Sequence, residues 1–491
     1  MAYDSLRQFV QRLEHEGEVK RVPVEIHPVL EITELADREM KRPHGGKALL
    51  IERPTGSQFP LLINAFGSRQ RMAMALGVSN VEEIAAEIGS LMKAKPPTSF
   101  KQAVALLGQA LDLRHAKPKM VSTGPCKEVI RKAGDGSGLD ALPILKCWPK
   151  DGGRFITLPV VITKDPDTGE RNLGMYRMQV LDAWKTAMHW QLHKVGARHG
   201  RRAAELGQKI PVAVCLGGDP AYTFGAVAPL PDGLDEILFA GFLRKKSVEL
   251  VKCETNDLEV PADCDFILEG YVDPKETCKE GPFGDHTGYY TPVDDYPVFH
   301  ITAITHRRDA IYPATIVGIP PMEDYYIGEA IMRIFLPVFK LNFPEIVDMH
   351  LPAEGVLNNM VVVSIKKQYP WHAFKICHGL WGMGQMMFTK LIVVVDAGVD
   401  VHNLSEVMFH VCANVDPQRD TIFTRGPADS LDHATTEPNL GTKMGIDATH
   451  KLPGEGYKRG WPELIRMDPA VKQRVDELMK NASGYEVRSP L

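Results

Sequence analysis

Apolar residues first recur at helical spacing. Leu6, Phe9, Val10 and Leu13 fall on one face of an amphipathic helix that Gly17 is suited to stop. Leu49-Leu50-Ile51 and Leu61-Leu62-Ile63 are continuous apolar runs and predict short buried strands. Asn80 is placed to cap a helix through Ile84 and Ile88 to Met92, ended by Lys95-Pro96-Pro97. A further helical stretch is expected from Ala103 to Leu111, before a polar linker near 114–120. These elements make a small α/β unit.

From about 120 to 320 the pattern becomes β. Phe155 to Thr163 reads as a strand with an irregularity at Pro159, and a turn at Asp165–Gly169 returns it as the partner strand Asn172–Leu181. Pro211–Leu216, Val248–Cys253, Phe266–Tyr271 and Val298–Thr305 are further strands, spaced as in a barrel or curled sheet. After Pro320-Pro321, Glu323 to Lys340 predicts a long connecting helix that Pro337 should kink or end. The rest alternates: strand Val361–Ile365, helix His372–Phe388, strand Leu391–Asp396, helix Leu404–Asn414, strand Thr421–Thr424. That is the signature of a parallel or mixed sheet with flanking helices. Asp468-Pro469 opens a last amphipathic helix bearing Val471, Val475, Leu478 and Met479, suited to dock on another subunit or on its own domain.

A chain of 491 residues calls for two or three domains. Its net charge of -5 argues against a nucleic-acid footprint. No apolar run approaches a membrane span, and the first residues lack the apolar core of a signal peptide, so the cytoplasm is the expected compartment. Eight scattered cysteines without a CxxC pair read as free thiols.

The densest chemistry lies in Glu280-Gly281-Pro282-Phe283-Gly284-Asp285-His286-Thr287-Gly288-Tyr289. Two carboxylates flank a turn among aromatic rings, in an arrangement that can drive their pKa values apart. A tight turn packed on its own aromatics reads equally well. In Asn172–Arg177 the odd spacing puts Asn172 and Arg177 on opposite strand faces unless a bulge intervenes. His189 and His193 share a face as helix or strand, but without a zincin glutamate the pair is more often packing than ligation. Glu236 opens a helix, as favourable charge in its first turn or as a hard oxygen ligand. Lys390 precedes an apolar strand and either snorkels or reaches an anion.

Taken together, NLGMYR (172–177), PLPDGLDE (229–236), VKCETNDLEVPAD (251–263), KEGPFGDHTGYY (279–290) and KMGIDAT (443–449) resemble the UbiD family of prenylated-flavin-dependent decarboxylases over nearly the whole chain. The resemblance implies a mixed α/β multidomain fold. It comprises an N-terminal α/β domain (1–118), a central split β-barrel like that of flavin reductases (119–320), a linking helix (321–342), a C-terminal α/β domain (343–455) and a C-terminal helix for oligomer contact (456–491). It implies prenylated FMN, a divalent ion such as Mn2+ on Asn172, His193 and Glu236, and often K+. Cofactor contacts map to Met175, Tyr176, Arg177, His189, Trp190, Gln191, His193, Lys194 and Val195, with Lys390 as a phosphate-binding lysine. The family's catalytic trio maps to Arg177, Glu280 and Asp285, with either carboxyl as proton donor.

The implied reaction is reversible decarboxylation of an aromatic or α,β-unsaturated acid, foremost a hydroxyarene carboxylate of quinone biosynthesis. A flavin prenyltransferase would supply the cofactor, and the enzyme would be a homodimer or homohexamer. One departure matters: His189-Trp190 stands where the polyprenyl-hydroxybenzoate enzymes carry Arg-Trp, and the run from Met188 to Lys194 is closer to relatives linked to menaquinone precursors. Competing readings are an enzyme of aromatic degradation, a flavin reductase on the same barrel, and a non-catalytic subunit of a carboxylase complex. The intact trio argues against the last two.

Overall fold

The computed structural model describes residues 2–94, 117–191, 193–230 and 233–479. The helix expected over Ala103–Leu111 lies outside them. The first helix, Leu6–His15, is capped by Ser5, whose hydroxyl accepts the Gln8 N–H at 3.1 Å. Its four expected apolar residues are all buried, and Phe9 is fully so. Burying such a side chain is worth about 1.5–3 kcal/mol. Asn80 accepts the Glu83 N–H at the start of helix Glu82–Ala94, as its position predicts.

The N-terminal sheet runs in the order Val19–Ile26, Ala48–Pro54, Leu61–Ile63, Tyr312–Ala314. Its last strand comes from the far end of the β-rich region and pairs in parallel with Leu61–Ile63. Among the described residues the central sheet has nine strands. Its hydrogen-bonded path runs Phe155–Ile156, Met178–Asp182, Lys185–Met188, Asp294–His306, Phe266–Glu280, Ile210–Leu216, Val160–Lys164, Arg171–Gly174, with Val129–Lys132 also on Asp294–His306.

Several expected strands break or lengthen. Phe155–Thr163 is two strands in different parts of the sheet, interrupted before Val160, where Pro159 has no N–H to give a ladder. Its partner divides too: Arg171–Gly174 pairs with Val160–Lys164, Met178–Asp182 pairs elsewhere, and residues 175–177 belong to neither. The strand from Phe266 continues to Glu280 opposite Asp294–His306, with register breaks between Glu269 and Gly270 and between Val272 and Thr277. Such breaks bend a strand and re-aim its end. Glu280 therefore sits at a strand terminus, not in a loop.

The long helix covers Glu323–Asn342, and Pro337 does not end it. Packing on both sides holds it. Ile327, Ala330, Ile334 and Phe335 join the core shared by the N-terminal and central parts, while Met332 and Leu336 join the C-terminal core. No described helix is long and apolar enough to cross a membrane.

The C-terminal sheet has the order Ile346–His350, Met360–Ile365, Leu391–Asp396, Leu440–Asp447, Thr421–Pro427, with its three central strands parallel. Val361, Val363 and Ile365 point into one core and Val362 into the other, so both faces are covered. The helix expected over His372–Phe388 stops at Trp381 and is followed by a 3-10 turn, Gly384–Phe388. Helix Leu404–Asn414 matches its expected limits. The last helix, Pro469–Met479, buries none of its residues, and Val471, Val475 and Leu478 are exposed.

Candidate active site

The break at 175–177 decides the geometry. With no continuous strand there, the odd-spacing rule does not apply between Asn172 and Arg177. Arg177 turns into the central part and meets the re-aimed end of Phe266–Glu280. Its Nε donates to Glu280 Oε1 at 2.8 Å and one Nη to Glu280 Oε2 at 3.2 Å. The other Nη pairs with Asp285 Oδ2. The guanidinium lies 4.6 Å from the centre of the Phe283 ring, and the Thr291 hydroxyl accepts a further bond at 3.1 Å. Glu280 is 0% exposed and Asp285 6%. This forked cation bridging two buried carboxylates is charge-assisted on every arm.

The loop after Glu280 is tied down. Gly281, at φ +100°, adopts a conformation that side chains disfavour, and its N–H donates to Gln179 Oε1 at 2.7 Å. The Gly284 N–H reaches Asp151 Oδ1 at 2.8 Å, and the Asp285 N–H reaches the Tyr289 carbonyl at 3.1 Å. His286 folds back so that Nδ1 lies 2.9 Å from Asp285 Oδ1. On the other side, His189 Nδ1 lies 3.2 Å from Glu280 Oε2, with its ring 4.2 Å from that of Tyr296.

These contacts fix the charges. Burial works against a charged Glu280, but hydrogen bonds from His189 and Arg177 outweigh it and hold the carboxyl down at about 2. Burial also opposes a charged Asp285, yet Arg177 and His286 keep it well below the usual carboxylate range. Burial would lower His286, but Asp285 raises it to about 9. His189 is lowered by burial and by the Arg177 charge. The cluster is therefore Arg+, two carboxylates, an imidazolium and a neutral imidazole.

A second group lies beside it. Asn172, Val195 and Glu236 line one cleft of 390 Å3, with Arg171, Arg198 and Lys164 on its walls. Glu236 opens helix Glu236–Arg244, which Asp235 caps, and accepts the Leu173 N–H at 3.0 Å. Burial pushes its carboxyl up to about 7. His193 is not part of that lining: its exposed ring packs 5.6 Å from Phe388. His189 and His193 thus face different surroundings, the first buried on Glu280. Tyr176 joins the two groups, its hydroxyl accepting the Gly196 N–H at 3.3 Å. Trp190 lies over helix Val195–Glu205 at Gly196 and Gly200, where an added Cβ would come within 2.8 Å of the indole.

Met175 packs half-buried on the core, and Gln191 is half-buried. Lys194 is lowered by burial, with Asp429 opposing. Lys390 donates to Asp432 Oδ1 at 3.0 Å. Among the described residues, Asn172 Nδ2, His189 Nε2 and Trp190 Nε1 are buried without hydrogen-bond partners. Such orphaned groups are costly unless something polar meets them. An anionic cofactor with a cation between it and the carboxylates suits this donor and acceptor set. Reading by motif missed Gln179, Asp151, Thr291 and Tyr296. It also gives His286 no part beyond the turn it belongs to, whereas the ring is a hydrogen-bonded, charged partner of Asp285.

Fold and site together define a multidomain α/β enzyme with a buried acid–base cluster in its central sheet. Family models for three domains of 3-octaprenyl-4-hydroxybenzoate carboxy-lyase match the chain: N-terminal at 10–91, Rift-related at 119–320 and C-terminal at 325–448. The chain belongs to the UbiD family of decarboxylases. An uncharacterized protein of Archaeoglobus fulgidus is 53% identical over 480 residues, covering 97% of this chain and 98% of its own length. The closed form of vanillic acid decarboxylase from Sedimentibacter hydroxybenzoicus has a TM-score of 0.85 at 28% identity, over 98% of this chain and 100% of that one. An evolved dimeric form of the UbiD-class enzyme HmfF from Pelotomaculum thermopropionicum, in complex with prFMN, has a TM-score of 0.78 at 28% identity, over 96% and 98%.

Proposed function

We propose that the chain uses prenylated FMN to decarboxylate, reversibly, an aromatic or α,β-unsaturated carboxylic acid, with Arg177, Glu280 and Asp285 as the reacting trio. The observation that carries this is the buried Arg177 bridging Glu280 and Asp285. The cofactor would be held by Met175, Tyr176, Arg177, His189, Trp190, Gln191, His193, Lys194, Val195 and Lys390. A divalent ion, Mn2+ by the family's habit, would sit on Asn172, Glu236 and His193, with K+ nearby. His193 would have to leave Phe388 to join them. Bound there, prenylated FMN supplies the electron sink that loss of CO2 from an sp2 carbon needs.

The protein's own part is orientation and proton control. Arg177 offers a fork that matches a substrate carboxylate. A substrate taking that fork would loosen Glu280 and Asp285 from their cation and add a like charge beside them. Both changes raise a carboxyl toward protonation. The electron pair of the broken C–CO2 bond would end in a new C–H bond at the same substrate carbon, made with the carboxyl's proton as CO2 leaves. Glu280 is the preferred donor, within a Glu280–Arg177–Asp285 relay that His286 can refill.

A hydroxyarene acid is the favoured substrate, because vanillic acid decarboxylase matches the chain from end to end. A place in ubiquinone or menaquinone biosynthesis is the first assignment, and aromatic degradation the second. A flavin prenyltransferase would supply the cofactor, and the exposed last helix favours a homodimer or homohexamer. The test is turnover of hydroxybenzoates by the prenylated-FMN-loaded enzyme. Glu280→Gln keeps shape but removes the proton, and should slow turnover by roughly 10²–10⁴-fold. Wild-type turnover by the Glu280→Gln, Asp285→Asn double variant would sink the assignment. Inactivity of Asp285→Asn alone would move the donor to Asp285.

A further inference from the structure

Three side chains far apart in sequence meet where the long helix joins the C-terminal sheet. Glu329 comes from helix Glu323–Asn342, His350 ends strand Ile346–His350, and His402 precedes helix Leu404–Asn414. One ligand atom from each lies within 4.8 Å of the other two, and no other trio of His, Cys, Asp or Glu among the described residues is placed this way. Glu329 and His350 are buried, and the two imidazole rings lie 4.5 Å apart. His402 Nε2 faces Asp348 Oδ2 at 3.4 Å, and its Nδ1 is buried with no hydrogen-bond partner among the described residues.

We propose that Glu329, His350 and His402 bind a transition-metal ion of the zinc class, at a site separate from the cleft of Asn172 and Glu236, and that the ion ties the linking helix to the C-terminal sheet. Two imidazoles and one carboxylate suit Zn2+, Co2+ or Fe2+, whereas Mg2+ and Ca2+ prefer all-oxygen sets. A carboxylate behind a ligating histidine fixes its ring and tautomer, the position Asp348 takes toward His402. With Nε2 directed there, Nδ1 is the nitrogen left for the ion. Tetrahedral ligation at about 2.1 Å draws ligand atoms to about 3.4 Å apart, so closure asks roughly an ångström of side-chain movement.

Arg69 and Arg333 oppose the ion. Arg69 holds both oxygens of Glu329, and an Arg333 Nη lies 3.5 Å from His402 Nε2. Each carboxylate oxygen keeps a second lone pair, so Glu329 can hold Arg69 and a metal together. An ion pair alone accounts for Glu329 and Arg69. It leaves unexplained why two imidazoles gather within 4.8 Å of that carboxylate, one of them with a buried nitrogen that has no partner among the described residues.

The test is Co2+ titration of the full-length, chelator-stripped chain, read by visible d–d absorption and displaced by Zn2+. We expect one equivalent with the intense bands of low coordination number, retained in Glu236→Gln and lost in His402→Ala. Asp348→Asn should weaken it by about 10–100-fold. His402 is partly exposed, which favours folding of its variant; Glu329→Gln, which keeps volume, gives an independent loss of the same bands. Absence of these bands in the wild type, their disappearance in Glu236→Gln, or their survival in both His402→Ala and Glu329→Gln would overturn the proposal.

Discussion

Replacing His286 by glutamine should remove much of the alkaline limb of the stability profile. In the folded chain Asp285 raises His286 to about 9, against an ordinary value of 6.5. A group raised on folding stabilises fully below its unfolded value, and that contribution is lost as pH climbs through the folded value. The window is therefore 6.5 to about 9. At ~1.4 kcal/mol per pKa unit the rise corresponds to ~3 kcal/mol, counted once for the His286–Asp285 pair. The His286 side chain is only 13% exposed, so solvent screening removes little of it. Glutamine can still donate a hydrogen bond to Asp285 but carries no charge. The assay is urea unfolding, which leaves ion pairs unscreened, followed on the first transition of this multidomain chain from about pH 6 to about pH 10. Wild type should lose stability across that window and His286→Gln should lose clearly less. Parallel curves would refute the assignment of an imidazolium to His286.

Glu236→Gln should lower metal and flavin occupancy together, by no less than the ~10–100-fold that loss of an outer partner costs a metal site; full occupancy by native mass spectrometry would remove Glu236 from the ligand set. Truncation after Met467 removes a helix none of whose described residues is buried. It should leave the melting temperature of the remaining chain unchanged and weaken assembly in sedimentation; a lowered melting temperature with assembly intact would show that the helix packs on its own domain.

Where hydrophobic pattern controls burial, the sequence was a good guide to the fold. Leu6, Phe9, Val10 and Leu13 point inward as expected, and helix Leu404–Asn414 has its expected limits. The misses come where pattern carries no burial signal. The outer half of strand Phe266–Glu280 alternates between exposed and half-buried, so nothing apolar marks its continuation to Glu280. Strand Leu440–Asp447 only overlaps the motif at 443–449 and carries no strand signal of its own, because its inward positions include Lys443 and Asp447. At the site, the residue types at 177, 280 and 285 were legible through a family likeness, but the contact among them depends on a broken strand and two register shifts that no local pattern encodes. Glu329, His350 and His402 had no signal at all, since each is unremarkable in its own segment.

The fourth strand of the N-terminal sheet has a consequence for synthesis. Leu61–Ile63 is paired on its outer edge by Tyr312–Ala314, which the ribosome makes much later. At about 5–20 residues per second, the roughly 250 intervening residues take on the order of tens of seconds. Through that interval the nascent sheet presents an apolar edge with its hydrogen-bonding groups unpaired, the kind of surface that invites pairing with a neighbouring chain. The segment that closes it follows directly on the strands of the central sheet. Completion of the first domain is thereby made to wait on the second, and the two mature as one unit although the first is written at the start of the chain.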